Sequence, residues 1–249
     1  MLAGRNRVPK PAAGTMAVRG NRTEAVDTDH TLTGSFAEQL WRHQVCADRV
    51  AIMTAPTKSE RRSELLAARR ALPRALRDAE AEQLRAHLAD AVRGARTVCA
   101  YLPVDAEPGS PALLDRLKEL CETVLLPITS PAGAILPLCW GEYVPGHLVP
   151  ARFGLQEPAG PKLEASAVAR ADVVLVPALA VDRAGVRLGR GAGFYDRSLP
   201  LCEPGIRLVA VVRDSEILES LPAEPHDVPM THALTPGGGL ITLGPTPGG

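Results

Sequence analysis

Asp172-Val173-Val174-Leu175-Val176-Pro177-Ala178-Leu179-Ala180-Val181, followed six residues later by Arg187-Leu188-Gly189-Arg190-Gly191-Ala192-Gly193-Phe194-Tyr195-Asp196, decides the fold class of this chain. The first run is apolar and rich in β-branched residues, as in a strand buried on both faces. The second alternates glycine with arginine and alanine. Phe194-Tyr195-Asp196-Arg197-Ser198-Leu199 after it reads as a helix start. Buried strand, glycine-rich turn and helix is the arrangement by which α/β proteins hold phosphate. Glycine lets backbone approach a ligand closely, and successive amides can form an anion-binding nest. Arg187 and Arg190 add fork-shaped cationic donors, and Asp196 offers a carboxylate to a hard cation such as Mg²⁺. Two known phosphate motifs do not fit. There is no Gly-x-x-x-x-Gly-Lys-Ser/Thr run, and the third glycine comes one residue early for Gly-x-Gly-x-x-Gly.

Outward from this centre, strands and helices alternate. Thr97–Leu102, Thr123–Pro127, Ala134–Trp140 and Arg207–Val212 read as strands, the third edge-like because of Pro137. Thr57-Lys58-Ser59-Glu60 is a capping box that starts a helix ending near Pro73. Lys58, Arg61 and Arg62, at i, i+3 and i+4, share a face of its first turns, where cations oppose the macrodipole and an anion between them would relieve the strain. A second helix spans about 75–92, with Leu76, Leu84, Leu88, Ala91 and Val92 as its stripe, and a third runs through Leu113, Leu114, Leu117 and Leu120. Residues 145–161 read as a Pro/Gly loop, and 232–235 with 240–243 as a terminal hairpin. The pattern implies one α/β domain with a largely parallel sheet. In such sheets ligands sit off the carboxyl ends of strands. The loops after Leu102, Val181 and Val212 would therefore bring together Glu107, the glycine loop and Asp227.

The 249 residues suffice for one large domain or two small ones. Basic and acidic residues balance at 28 each, which does not suggest a nucleic-acid scaffold. Five scattered cysteines without Cys-x-x-Cys point to free thiols in a reducing, cytoplasmic setting. No apolar run nears the roughly 18 residues of a membrane helix. Residues 1–56 have little apolar periodicity, so a disordered extension is expected there, apart from one short amphipathic helix through Phe36, Leu40, Trp41 and Val45. Met53-Thr54-Ala55-Pro56-Thr57-Lys58 reads like a fresh start. Natural initiation at Met53 is the expectation; an intact mass that includes residues 1–52 would overturn it. The domain then covers 57–243, with a loose tail at 244–249.

Taken together, these residues resemble the 5-formyltetrahydrofolate cyclo-ligase (methenyltetrahydrofolate synthetase) family. Arg187–Asp196 matches its Arg-x-Gly-Arg-Gly-x-Gly-Tyr-Tyr-Asp signature, with Phe194 for the first Tyr. Lys58-Ser59-Glu60-Arg61-Arg62 matches its N-terminal Lys-x-x-x-Arg helix. Tyr101-Leu102 with Glu107 matches the substrate loop, and Gly154–Pro158 and His226-Asp227 match two further landmarks. The similarity runs in order from about Lys58 to Pro236, and the N-terminal extension is foreign to it.

The resemblance implies a single three-layer, Rossmann-like α/β domain of the kind shared by sugar-phosphate isomerases and CoA transferases. It implies conversion of 5-formyltetrahydrofolate and ATP to 5,10-methenyltetrahydrofolate, ADP and phosphate with Mg²⁺, by a monomer without nucleic-acid or membrane partners. Carried over residue by residue, Lys58, Ser59, Glu60, Arg61 and Arg62 would hold ATP, as would Arg187, Leu188, Gly189, Arg190, Gly191, Ala192, Gly193, Phe194 and Tyr195. Lys58 and Arg190 would serve catalysis, Arg190 lying where formyl group and γ-phosphate meet. Leu102, Glu107 and Phe153 would bind the folate, and Asp196 and Asp227 the Mg²⁺. Two alternatives stay open: a non-catalytic folate-binding protein, which could dispense with Asp196 and Asp227, and another α/β phosphate-ligand enzyme, which would not need Lys58.

Overall fold

Thr57 begins the first helix by satisfying two backbone donors reciprocally. Its hydroxyl accepts from the Glu60 amide at 3.2 Å, and the Glu60 carboxylate accepts from the Thr57 amide at 2.8 Å. In the computed structural model, which describes residues 56–129, 136–151 and 154–244, helix α1 spans Lys58–Ala71 and ends at extended Leu72, before Pro73. Helix α2 (Arg74–Ala91) follows at once and buries Ala81, Leu84, Leu88 and Ala91. Leu76 does not share that stripe; it is 45% exposed. Eight residues at 3.6 per turn place it about 80° from Leu84, off the buried face and in the first turn.

The main sheet contains β1 (Thr97–Cys99), β2 (Thr123–Ile128), β3 (Cys139–Glu142), β6 (Val173–Pro177), β9 (Arg207–Val211), β11 (His232–Thr235) and β12 (Gly239–Thr242), in the order β12-β11-β9-β6-β1-β2-β3. The five inner strands are mutually parallel, and β3 and β12 close the two edges antiparallel. The expected terminal hairpin is thus present, whereas the edge strand begins only at Cys139, after Pro137, and shares just Cys139 and Trp140 with the expected run 134–140. Helix α3 (Ala112–Leu120) joins β1 to β2. Alternation along the strands divides two cores. Val98, Val124, Leu126, Val173, Leu175, Val209 and Val211 face α2 and α3. Cys99, Leu125, Val174, Val176 and Ala210, with Trp140 of β3, pack on a layer that contains Ala167, Val168 and Leu199 and includes short 3-10 turns at Ala165–Arg170 and Leu199–Leu201.

Two expectations need correction. The run 172–181 is not one strand. It breaks after Pro177 and resumes as β7 (Ala180–Asp182), which leaves the main sheet to pair antiparallel with β8 (Arg187–Leu188) and parallel with β10 (Ile217–Leu218). Hydrophobicity persists through the break because both sheets are buried, so the pattern could not reveal it. Buried Asp182 fixes the new direction, its carboxylate accepting from the amides of Val186 (2.8 Å) and Leu221 (2.9 Å). The glycine loop therefore follows a hairpin rather than the central strand, and the helix after it, α4 (Phe194–Ser198), has only five residues. In addition, the loop at 145–161 carries a small antiparallel ribbon, β4 (Leu148–Pro150) with β5 (Gln156–Pro158). The extension at 1–55, with its expected helix and the Met53 start, lies outside the described residues.

Candidate active site

Three segments leave the carboxyl ends of parallel strands and meet α1. The loop after β1 carries Asp105 and Glu107, the hairpin after β6 delivers the glycine loop, and the segment after β9 leads to Glu224–Asp227. The order of contacts is continuous. Lys58 Nζ lies 3.2 Å from Asp227 Oδ2 and 3.0 Å from Glu224 Oε1. One helical turn on, Arg62 Nε donates to the Gly189 carbonyl at 2.9 Å. Arg190 Nε then lies 3.1 Å from Glu107 Oε1, and its Nη1 3.5 Å from Asp105 Oδ2.

Glycine is required at particular points of this loop. Gly191 has φ +98° and its α-carbon faces the Arg62 guanidinium, 3.6 Å from where a Cβ would sit. Gly193 caps α4 at φ +73°. At both glycines the backbone takes a conformation that L side chains rarely adopt. Arg187, on β8, is almost wholly buried, pairs with Asp196 and lies 5.8 Å from the Tyr195 ring centroid. Two donors in this corner, Arg187 Nε and the Tyr195 hydroxyl, are buried and have no hydrogen-bond partner among the described residues. Buried polar groups are normally paired, so both are available to an incoming acceptor.

Charge state follows burial. Burial pushes the Glu107 carboxyl up, opposed chiefly by Arg190, and its value stands above the ordinary 4.5; its side chain is 9% exposed against 41% for Arg190. Burial disfavours the Lys58 ammonium, but Glu224 and Asp227 more than offset this and raise it above 10.5. Burial likewise works against the Asp227 carboxylate, yet the Glu224 amide and Lys58 hold it below 3.8. Burial drives the Tyr195 phenol and the Cys99 thiol well up, which leaves neither as a ready nucleophile.

The structure brings together Lys58, Arg62, Arg187, Arg190, Glu107, Asp196 and Asp227. Others it places apart. Arg61 turns to Glu64 at 3.6 Å, and exposed Ser59 and Glu60 serve the helix start. Leu102 is half-buried against the core beside Tyr101. Phe153 lies outside the described residues. Asp105 and Glu224 were not foreseen; both are exposed acids whose only sequence signal is nearness to Glu107 and Asp227. Trp140 is buried packing and His226 is largely exposed. Among the described residues, no three His, Cys, Asp or Glu side chains gather as a metal cage, and no helix is long and apolar enough to cross a membrane.

The 5-formyltetrahydrofolate cyclo-ligase family model matches residues 54–236. This chain belongs to the 5-formyltetrahydrofolate cyclo-ligase family. A cyclo-ligase of Mycolicibacterium smegmatis is 56% identical over 193 residues, 77% of this chain and the whole of that relative. One from Escherichia coli K12 is 32% identical over 143 residues, 57% of this chain and 79% of the relative. The solution structure of Aquifex aeolicus 5,10-methenyltetrahydrofolate synthetase superposes with a TM-score of 0.64 at 25% identity, covering 77% of this chain and 95% of that one. Every side-chain contact of this site falls within residues 54–236, which match the cyclo-ligase family.

Proposed function

We propose that the protein is an ATP-dependent 5-formyltetrahydrofolate cyclo-ligase whose catalytic centre is the junction of Arg190 with Glu107. That 3.1 Å contact carries the reading, because it joins the loop assigned to nucleotide to the loop assigned to folate. A formamide oxygen is a poor leaving group. Its attack on the γ-phosphorus of ATP forms an O–P bond as the β,γ-bridging bond breaks, releasing ADP. N10 then attacks the activated formyl carbon. The C–O bond breaks, phosphate departs, and loss of the N10 proton leaves the methenyl bridge.

Such a reaction needs positioning and charge neutralisation more than a covalent nucleophile. Lys58, Arg62, Arg187 and the amides of 189–193 supply positive charge for the phosphates. Each of these cations already has a partner in the protein: Asp227, the Gly189 carbonyl and Asp196. ATP would bind by exchange, phosphate oxygens taking over from carboxylates. Arg190, less buried than its partner, would turn from Glu107 to the formyl oxygen as negative charge grows there. Glu107, freed, would accept from pterin N–H groups. Phe153 is proposed to line the folate.

Asp196 and Asp227 suit Mg²⁺ as a donor set, since this ion commonly takes one or two carboxylates and completes its shell with substrate phosphates and water. Bound there, Mg²⁺ would screen the β and γ oxygens of ATP. The deciding experiment follows the absorbance band of methenyltetrahydrofolate with purified protein, 5-formyltetrahydrofolate and Mg²⁺, with and without ATP. Growth only with ATP is expected. No growth from folded protein would overturn the catalytic reading and leave folate binding, measurable by calorimetry.

A further inference from the structure

Beneath the site lies a run of charges that the chemistry above does not use. Arg69 of α1 donates through Nε and Nη2 to the two carboxylate oxygens of Glu216, each at 2.7 Å, and through Nη2 to the Ala178 carbonyl at 2.6 Å. Glu216 also accepts from the Arg213 amide at 2.8 Å and lies 3.6 Å from Arg213 Nη1. Arg213 Nε donates to Glu80 of α2 at 2.7 Å, and its Nη1 donates to the Ala106 carbonyl at 3.1 Å. Arg69, Arg213 and Glu216 are at most 4% exposed. The two cations and two anions balance, so charge pairing is complete without either carbonyl.

Buried ion pairs are poor devices for stability alone, since apolar residues of similar volume often do as well or better. What a guanidinium adds is a fixed fork that can address several acceptors at once. Here the second branch of Arg213 reaches the residue beside Glu107. The loop is also tied by the Tyr101 hydroxyl, which donates to Pro108 O at 3.1 Å, and by Arg190 at Glu107 and Asp105, but neither of these contacts is made at Ala106. Asp105 stands at φ +54°, and the turn closes through Glu107 N to Val104 O (3.0 Å) and Val104 N to Glu107 Oε2 (3.1 Å).

We propose that Arg213 is a positioning residue that sets the height of the Glu107 loop over the sheet, and with it the affinity for the folate substrate. The folate part rests on the cyclo-ligase reading. Arg213→Lys keeps the charge but replaces the fork by one ammonium on a flexible stem, which cannot hold Glu80 and Ala106 together. Its KM for 5-formyltetrahydrofolate rises roughly 10-fold, the scale expected of a sub-ångström to ångström misplacement, while KM for ATP stays within about two-fold. Amide hydrogen exchange across 103–109 speeds up, and exchange across 84–91 does not.

The paired replacement Glu80→Leu with Arg213→Met removes one charge of each sign, leaves Arg69 with Glu216, and shows the same pattern. Unchanged folate KM and unchanged exchange at 103–109 in folded variants would overturn the proposal. So would an equal rise in both KM values. A wild type that never turns over 5-formyltetrahydrofolate would refute the cyclo-ligase reading by itself, and the exchange measurement would still decide whether Arg213 holds the loop.

Discussion

At the scale of single residues, Arg190 and Glu107 depend on each other. Glu107 is a carboxylate in a site that favours its neutral form, and Arg190 is the main charge opposing that. Arg190→Ala is expected to lower turnover by roughly 10²-fold or more, as for other preorganised charge stabilisers, with ATP affinity largely kept. Steady-state kinetics with both substrates varied checks it; unchanged turnover would take Arg190 out of the reacting centre. The pH dependence has a definite sign. A carboxyl whose folded value is raised stays neutral to higher pH, so binding that needs its ionised form is lost as pH falls through that raised value. Arg190→Gln removes what holds Glu107 down, so the acid limb of 5-formyltetrahydrofolate binding moves to higher pH. Calorimetry on variant and wild type at matched pH cancels titration of the ligand itself. A limb that stays put or moves lower would mean that Glu107 takes its charge from elsewhere.

At the scale of elements, the hairpin between β7 and β8 places the glycine loop, and its turn depends on Gly185. Gly185 stands at φ +92°, and a Cβ there would collide with the Met230 carbonyl, whose own amide donates to Gly185 O at 2.8 Å. Gly94, at φ +78°, has open space around it. Gly94→Ala is expected to cost about 1–2 kcal/mol from backbone conformation alone. Gly185→Ala adds a main-chain clash and costs more, with loss of the β7–β8 register; urea unfolding of the two variants compares them. Equal costs would mean that the hairpin shifts freely against the 228–231 segment. This hairpin is also where sequence reading reached its limit. The glycines, the arginines and the flanking strand identities were legible as local chemistry, Glu107 and Asp227 through the order of loops, and Lys58 through the charged first turns of its helix. The turn out of the main sheet was not, because burial on both sides leaves an unbroken apolar run. Nor was the third layer, which is made of short 3-10 turns without helical periodicity.

At the scale of the whole molecule, α1 is attached by charge more than by apolar area. Among its residues only Arg69 is buried, with Leu65 half-buried against Ala180, Leu188 and Leu221. Its other ties are Lys58 to Asp227 and Glu224, and Arg62 to Gly189. Such ties carry no periodic signature, which is why the sequence pattern showed the helix but not its anchor. The helix proposed to bring two phosphate-binding cations is therefore separable from the core that α2 builds with Leu84 and Leu88. Arg69→Met leaves Glu216 with Arg213 but withdraws the fork that reaches Ala178 and Glu216 together. Breaking one partner of a buried pair is expected to cost about 3–5 kcal/mol. That loss falls on α1 first. Native-state hydrogen exchange should show residues 58–71 opening at lower free energy than 84–91, with the gap widening in Arg69→Met. Added salt reproduces little of this, since the Arg69–Glu216 pair is screened far less than the exposed pairs of α1. Saturating ATP should close the gap in the wild type, because nucleotide held as proposed would bridge α1 to the glycine loop and stabilise only the docked helix. Uniform loss of protection across α1 and α2 would instead make α1 part of one cooperative unit with the sheet, and ATP would then have no separate docking step to drive.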